Sequence, residues 1–194
     1  MTPLKRSDLW SLEVYAGARP EFRRRVMAHK RDRQLSLGEH VRLLFEDRLT
    51  IHYQIQEMLR VERIFEAAAI QDELDAYNPL IPDGDNWKAT MLIEYADVTE
   101  RRLALARLIG IERSVWLRVG DGAPIRPIAD EDLARETADK TSSVHFLRFQ
   151  LAPEQLCALH DGAALHAGID HPDYRVALVL VEGALRQALL DDLA

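Results

Sequence analysis

Three histidines, His160, His166 and His171, stand close together near the C-terminal end of the sequence, each beside a turn, with Asp161, Asp170 and Asp173 among them. Neutral imidazoles joined by a carboxylate are what a transition metal takes, so this group is the candidate metal site. Its H-x5-H-x4-H spacing matches no established ligand motif. A structural reading stands beside it: His166 on a strand points opposite to Leu165, and His171-Pro172 fixes a turn. Proton transfer is a third.

A second group lies in the long Gly- and Pro-free stretch from Arg48 to Asn78. Glu57, Arg60 and Glu62, with Glu94 or the histidines, would line a pocket if the chain brings them together, and carboxylates set against arginine are groups whose pKa is tuned for function. At about 100° per residue, Ile51, Ile55, Met58, Leu59, Phe65 and Ala69 form one apolar stripe. Glu62, Glu66 and Glu73 fall on that stripe rather than outside it. Carboxylates are seldom buried without a partner. They either edge the stripe and pair with arginine or water, or they form a carboxylate metal site of the kind helical bundles build from Glu and Glu-x-x-His. No Glu-x-x-His occurs on this stretch.

Arginine supplies the third group. From Arg19 to Arg33 seven bases, including Arg23, Arg24, Arg25 and Arg31, face only Glu21 and Asp32, in a chain of net charge −7. Such a patch binds nucleic acid, a phosphate compound or an acidic surface. With Phe22 as its one aromatic and an acidic chain around it, nucleic acid is the less favoured partner. Pairing with the protein's own acidic surface, or a partner's, is favoured. Elsewhere, Asp139-Lys140-Thr141-Ser142 lacks the glycines of a phosphate loop, Gly120-Asp121-Gly122 is a turn, and neither Gly-x-Ser-x-Gly nor His-Glu-x-x-His occurs. His145 shares a strand face with Leu147 and Phe149 and reads as a hydrogen-bonded core histidine. The one cysteine, Cys157, reads as a small buried hydrophobe on a helix. By itself it cannot supply the thiolates of an iron–sulfur cluster.

The elements that must position these groups are legible from periodicity and punctuation. Arg48 to Asn78 reads as one long helix of about 45 Å, capped by Asp47 and stopped by Asn78-Pro79. A break near Ala67 to Ala69 is allowed for. Tyr53, Val61, Ile64 and Ala68 give it a second apolar side, so it should be sandwiched. Before it come a short helical piece, punctuation at Gly17 and Pro20, a basic helix from Phe22 to Arg31, and a hairpin of Gln34 to Leu37 and His40 to Glu46 turning at Gly38-Glu39. After it come strands at Lys88 to Tyr95, Ser114 to Val119, Ser143 to Leu151, Ala163 to Ile169 and Tyr174 to Val181. Helices follow Asp97, ending at Gly110, and span Asp130 to Ala138, Pro153 to His160 and Ala184 to Leu193. The expected fold is α+β: a mainly antiparallel sheet packed against one long central helix, with a helical N-terminal arm. Residues 1–33 are the basic arm of a single domain whose body is 34–194.

Length and composition agree. The chain has 194 residues, 47% of them hydrophobic, which suits one domain. No apolar run approaches the roughly 20 residues of a membrane span, and Met1 to Glu13 has no signal-peptide core. A cytoplasmic protein with no membrane contact is expected.

Several phrases together resemble a bacterial family catalogued as domain of unknown function 3501: RPEFRRRVMAHKRDRQLSLGEHVRLLFEDRLTIHYQIQEMLRVERI (19–64), ELDAYNPLIPDGDNWKATMLIEY (73–95), VHFLRFQL (144–151) and IDHPDYR (169–175). The resemblance implies a single-domain cytoplasmic bacterial protein and lends no activity. Members are often encoded beside rubrerythrin-like and iron–sulfur electron-transfer proteins, so it also implies an accessory role near redox metabolism, with a redox partner protein.

The reading favoured by the residues is an accessory protein that binds a partner or a second copy through the two-sided helix and the basic arm. The alternative is a metal- or small-molecule-binding enzyme using the carboxylates and histidines. No cofactor is indicated.

Overall fold

The computed structural model describes residues 1–132, 135, 137 and 139–194. In chain order the elements are α1 (Leu12–Arg31), β1 (Gln34–Leu37), β2 (Val41–Phe45), α2 (Arg48–Glu62), α3 (Ala67–Tyr77), β3 (Asn86–Ile93), α4 (Val98–Arg107), α5 (Ile111–Ser114), β4 (Val115–Val119), β5 (Ile128–Ala129), β6 (Val144–Gln150), α6 (Pro153–His160), β7 (Leu165–His171), β8 (Tyr174–Val181) and α7 (Gly183–Asp191). The helix expected from Asp130 to Ala138 rests partly on residues 133, 134, 136 and 138, which lie outside the described set. Asp130 itself is left-handed, with φ 52°.

The strands form two antiparallel sheets, ordered β1-β2-β3-β6-β5 and β4-β7-β8. Strand alternation sends Ala89, Met91, Leu147 and Phe149 of the larger sheet, with Leu117, Ala167 and Ile169 of the smaller, into one shared core. Each buried Leu or Phe there contributes about 1.5–3 kcal/mol. The opposite face of the larger sheet carries Lys88, Thr90, Phe146 and Arg148, and the helical layer lies over it: the Glu46 carboxylate accepts from Thr90 on β3 and from Thr50 on α2, both at 2.6 Å. The sheet is therefore sandwiched, which the alternation of single strands does not reveal.

The expected single rod is two helices. Asp47 does cap α2, its carboxylate accepting from the Thr50 amide at 2.8 Å, but α2 ends at Glu62. Arg63 takes a left-handed conformation, φ 56°, and its N–H bonds back to the Leu59 carbonyl. A left-handed arginine is costly beside glycine. Folding α3 back is what offsets it, because Leu74 and Ile70 then join Leu4, Ile51, Ile55 and Leu59 in a second apolar cluster. Phe65, counted on the stripe, is left exposed at the turn.

The arm also differs from expectation. Helix α1 runs unbroken through Gly17 and Pro20. Proline removes one intrahelical bond, and burial of Tyr15, Phe22 and Val26 against Tyr53 carries the helix past it. This contact covers the second side of α2 with the chain's own arm. Ile64 turns instead into the α2–α3 cluster, and Val61 stays 62% exposed. Of the expected second side, the arm thus covers Tyr53. Cys157 lies on α6 but is exposed rather than buried. Among the described residues no helix is long and apolar enough to cross a membrane.

Candidate functional site

Between the C-terminal half of α3 and the larger sheet, a cleft of about 640 Å³ opens. Its apolar walls are Met58 from α2, Ala76, Tyr77, Pro79 and Leu80 from the end of α3 and the turn after it, and Phe146 and Leu147 from β6. Helical spacing explains the α3 wall, since Glu73, Ala76 and Tyr77 are one turn apart on one face. Strand alternation explains the other, since Lys88, Phe146 and Arg148 point away from the core that takes Ala89, Leu147 and Phe149.

The polar lining is a set of closed pairs with one exception. Arg148 binds both oxygens of Glu131 at 2.8 Å. Lys88 donates to the Ile81 carbonyl at 2.8 Å and to Asp83 at 2.9 Å. Arg135 binds Asp132 at 2.5 Å and lies over the Phe146 ring, 4.5 Å from its centroid. Asp75 accepts from Gln71 at 2.8 Å. Glu73, half-buried in the wall, makes no hydrogen bond or ion pair with any described residue. Burial raises its pKa above the ordinary value, and the negative charges of Glu62 and Asp72 raise it further.

The carboxylate–arginine group expected on the long helix is partly assembled, but for another purpose. Glu57 is held by Arg19 at 2.8 and 2.9 Å, by Arg60 at 3.0 Å and by the Tyr15 hydroxyl at 2.6 Å. The Arg19 bonds foremost, then those from Arg60 and Tyr15, hold its pKa at about 2. These contacts join α1 to α2. Glu94 is elsewhere, paired with Arg42 at 2.9 Å. Glu62 and Glu66 are exposed.

The three histidines are not gathered. His160 is exposed at the end of α6. His166 lies on β7 opposite Arg118 and Leu180, with a buried Nδ1 that has no partner among the described residues. His171 accepts at Nδ1 from the Asp173 amide at 3.2 Å, so Nε2 carries the proton and donates to the Ile109 carbonyl at 3.1 Å. One nitrogen thus holds the β7–β8 turn and the other ties it to the segment after α4. Among the described residues no three His, Cys, Asp or Glu side chains are grouped to hold a metal ion.

In the arm, Arg24 pairs with Glu21 and Arg25 lies over Phe22 at 5.3 Å, while Arg23 is exposed. The arm's deeper charges are spent internally. His29 bonds to Asp47 at 2.5 Å, and Arg33 lies 3.5 Å from Asp47 and bonds to Asp192. His145 is fully buried. Its Nδ1 donates to Asp130 at 2.6 Å, because a carboxylate only accepts, and its Nε2 lies 2.9 Å from the Thr141 hydroxyl. This Asp–His–Thr line resembles a nucleophile relay in connectivity, yet Thr141 is buried, 2% exposed, rather than presented to solvent. Its work is to anchor the start of β6, where Asp130 also accepts from the Phe146 amide at 2.9 Å.

Sequence reasoning misses most of the cleft. Its one visible signal is Glu73, a carboxylate on an apolar stripe.

The family model described as "Protein of unknown function (DUF3501)" matches residues 3–193. A crystal structure of a "novel protein of unknown function" from Burkholderia pseudomallei K96243 is similar to this chain at 53% identity, with 100% of each chain covered and a TM-score of 0.95. No curated protein matches.

Proposed function

We propose that this chain, which belongs to the family of proteins of unknown function DUF3501, is a binding protein whose ligand is an amphipathic small molecule held between α3 and the larger sheet. The observation that carries this reading is the cleft itself. Its volume of about 640 Å³ falls in the range of small-molecule sites, and a mainly apolar lining with a few fixed polar groups is their usual chemistry. The apolar part of the ligand packs on Met58, Tyr77, Leu80 and Phe146. The closed pairs Arg148–Glu131 and Lys88–Asp83 hold the rim in shape.

The test is occupancy. Protein incubated with a bacterial metabolite extract and desalted should carry a small-molecule adduct in native mass spectrometry. The cleft-filling variant Ala76→Trp should lose it. An adduct of equal intensity in both proteins, or none in either, counts against the cleft.

A second reading, contact with another copy or with a partner such as the redox protein implied by the family resemblance, is favoured by β8. This strand ends the smaller sheet and leaves Leu178 and Leu180 about half exposed, and edge strands of that kind pair with other chains. A purely monomeric mass by light scattering at high concentration speaks against self-association.

A further inference from the structure

Resting on the cleft reading above, we infer that the ligand is a cation: an ammonium group on an apolar body, with the positive charge set against Glu73. The argument is one of charge matching. Lys88, Arg135 and Arg148, the bases that line the cleft, are each already bonded to a carboxylate, Asp83, Asp132 and Glu131 respectively. An incoming anion would have to break one of these pairs and leave a carboxylate behind without its base. An incoming cation breaks nothing, because Glu73 is in the wall, half-buried and bonded to no described residue.

The surroundings of Glu73 point the same way. The charges that act on it, Glu62 and Asp72, are both negative, and with burial they make its ionised form unfavourable. A bound ammonium relieves this, since an opposite charge at close range favours the ionised carboxylate. Tyr77, one helical turn beyond Glu73, and Phe146 bring aromatic rings to the same cleft. Aromatic faces attract cations, and Phe146 already receives one from Arg135. A primary or quaternary ammonium with a short hydrocarbon tail meets all three requirements: charge, aromatic contact and apolar volume.

The test uses two probes with the same eight-carbon tail, n-octylammonium and octanoate, titrated calorimetrically into the full chain, into Glu73→Gln and into Ala76→Trp. The expected result is binding of octylammonium in clear preference to octanoate, weakened at least about tenfold by Glu73→Gln, a change of about 1.4 kcal/mol, and abolished by Ala76→Trp. Octanoate binding as well as or better than octylammonium, or octylammonium binding that Glu73→Gln leaves unchanged, overturns the cationic assignment while the cleft stands. Binding of neither probe, or binding that Ala76→Trp does not affect, overturns the cleft and the assignment together.

Discussion

Arg33, at the end of the basic arm, donates to Asp192, two positions from the last residue, and both side chains are only 3% exposed. The bond ties the N-terminal arm to the C-terminal helix across 159 positions of sequence. Arg33 also donates to the Phe45 and Glu46 carbonyls and lies 3.5 Å from Asp47, so it serves two carboxylates. Removing one partner of a buried pair leaves the other charge uncompensated. Arg33→Ala should therefore lower stability by about 3–5 kcal/mol in urea unfolding at neutral pH. A loss under 1 kcal/mol would show that the cluster is not bearing on the fold.

The same cluster sets a pH dependence. Burial, with the neighbouring Asp47 carboxylate adding to it, pushes the Asp192 pKa from 3.8 up to about 6, despite the opposing effect of Arg33. An acid raised in this way holds its proton more firmly folded than unfolded. Its contribution therefore falls as pH rises from about 4 to about 6. The difference in stability between the wild type and Asp192→Asn should change through that window and level off above it. A difference that is flat from pH 4 to 7 contradicts the assignment.

Glu57 titrates with the opposite sign. Arg19 first, then Arg60 and Tyr15, hold it at about 2 against an ordinary 4.5. Its stabilisation is full above about 4.5 and is lost as pH falls towards 2. Glu57→Gln should cost about 2 kcal/mol at pH 7, and the gap from wild type should close in acid. Melting curves at pH 7, 4 and 2.5 measure it, and a gap that stays constant would remove Glu57 from the joint between α1 and α2.

Gly168 is fixed by contact rather than by backbone conformation. A Cβ there would lie 2.2 Å from the Trp116 ring and 2.6 Å from the Val176 carbonyl oxygen. Gly168→Ala should cost at least about 1–3 kcal/mol and shift the Trp116 fluorescence as the ring is displaced. Unchanged stability and emission would mean that the sheet yields without strain.

Much of the fold is legible in the sequence where local chemistry decides it. The hairpin turns at Gly38, which takes φ 73°; β8 runs from Tyr174 to Val181 and α6 from Pro153 to His160 as their spacing predicts. The misses occur where tertiary packing overrides local signals. Nothing about Arg63 announces a left-handed residue, because the gain comes from Leu74 returning to Leu59, which no single helical wheel contains. Pro20 looks like a boundary and is not one, because Phe22 and Val26 have Tyr53 to pack on. The division into two sheets is equally hidden, since one strand's alternation cannot say which sheet it joins. At the site, the off-pattern Glu73 is visible in the sequence. Its companions Phe146 and Arg148 sit on a distant strand, and only the fold brings them to α3.

The most direct test of the cleft and its charge preference is a residue-resolved one. In ¹H–¹⁵N spectra of the labelled protein titrated with n-octylammonium, the amides of Glu73, Ala76, Tyr77, Phe146 and Arg148 should move together and saturate, while those of β8 and α6 stay in place. Shifts centred on Leu178 and Leu180, or scattered over the acidic surface without saturation, would contradict the account.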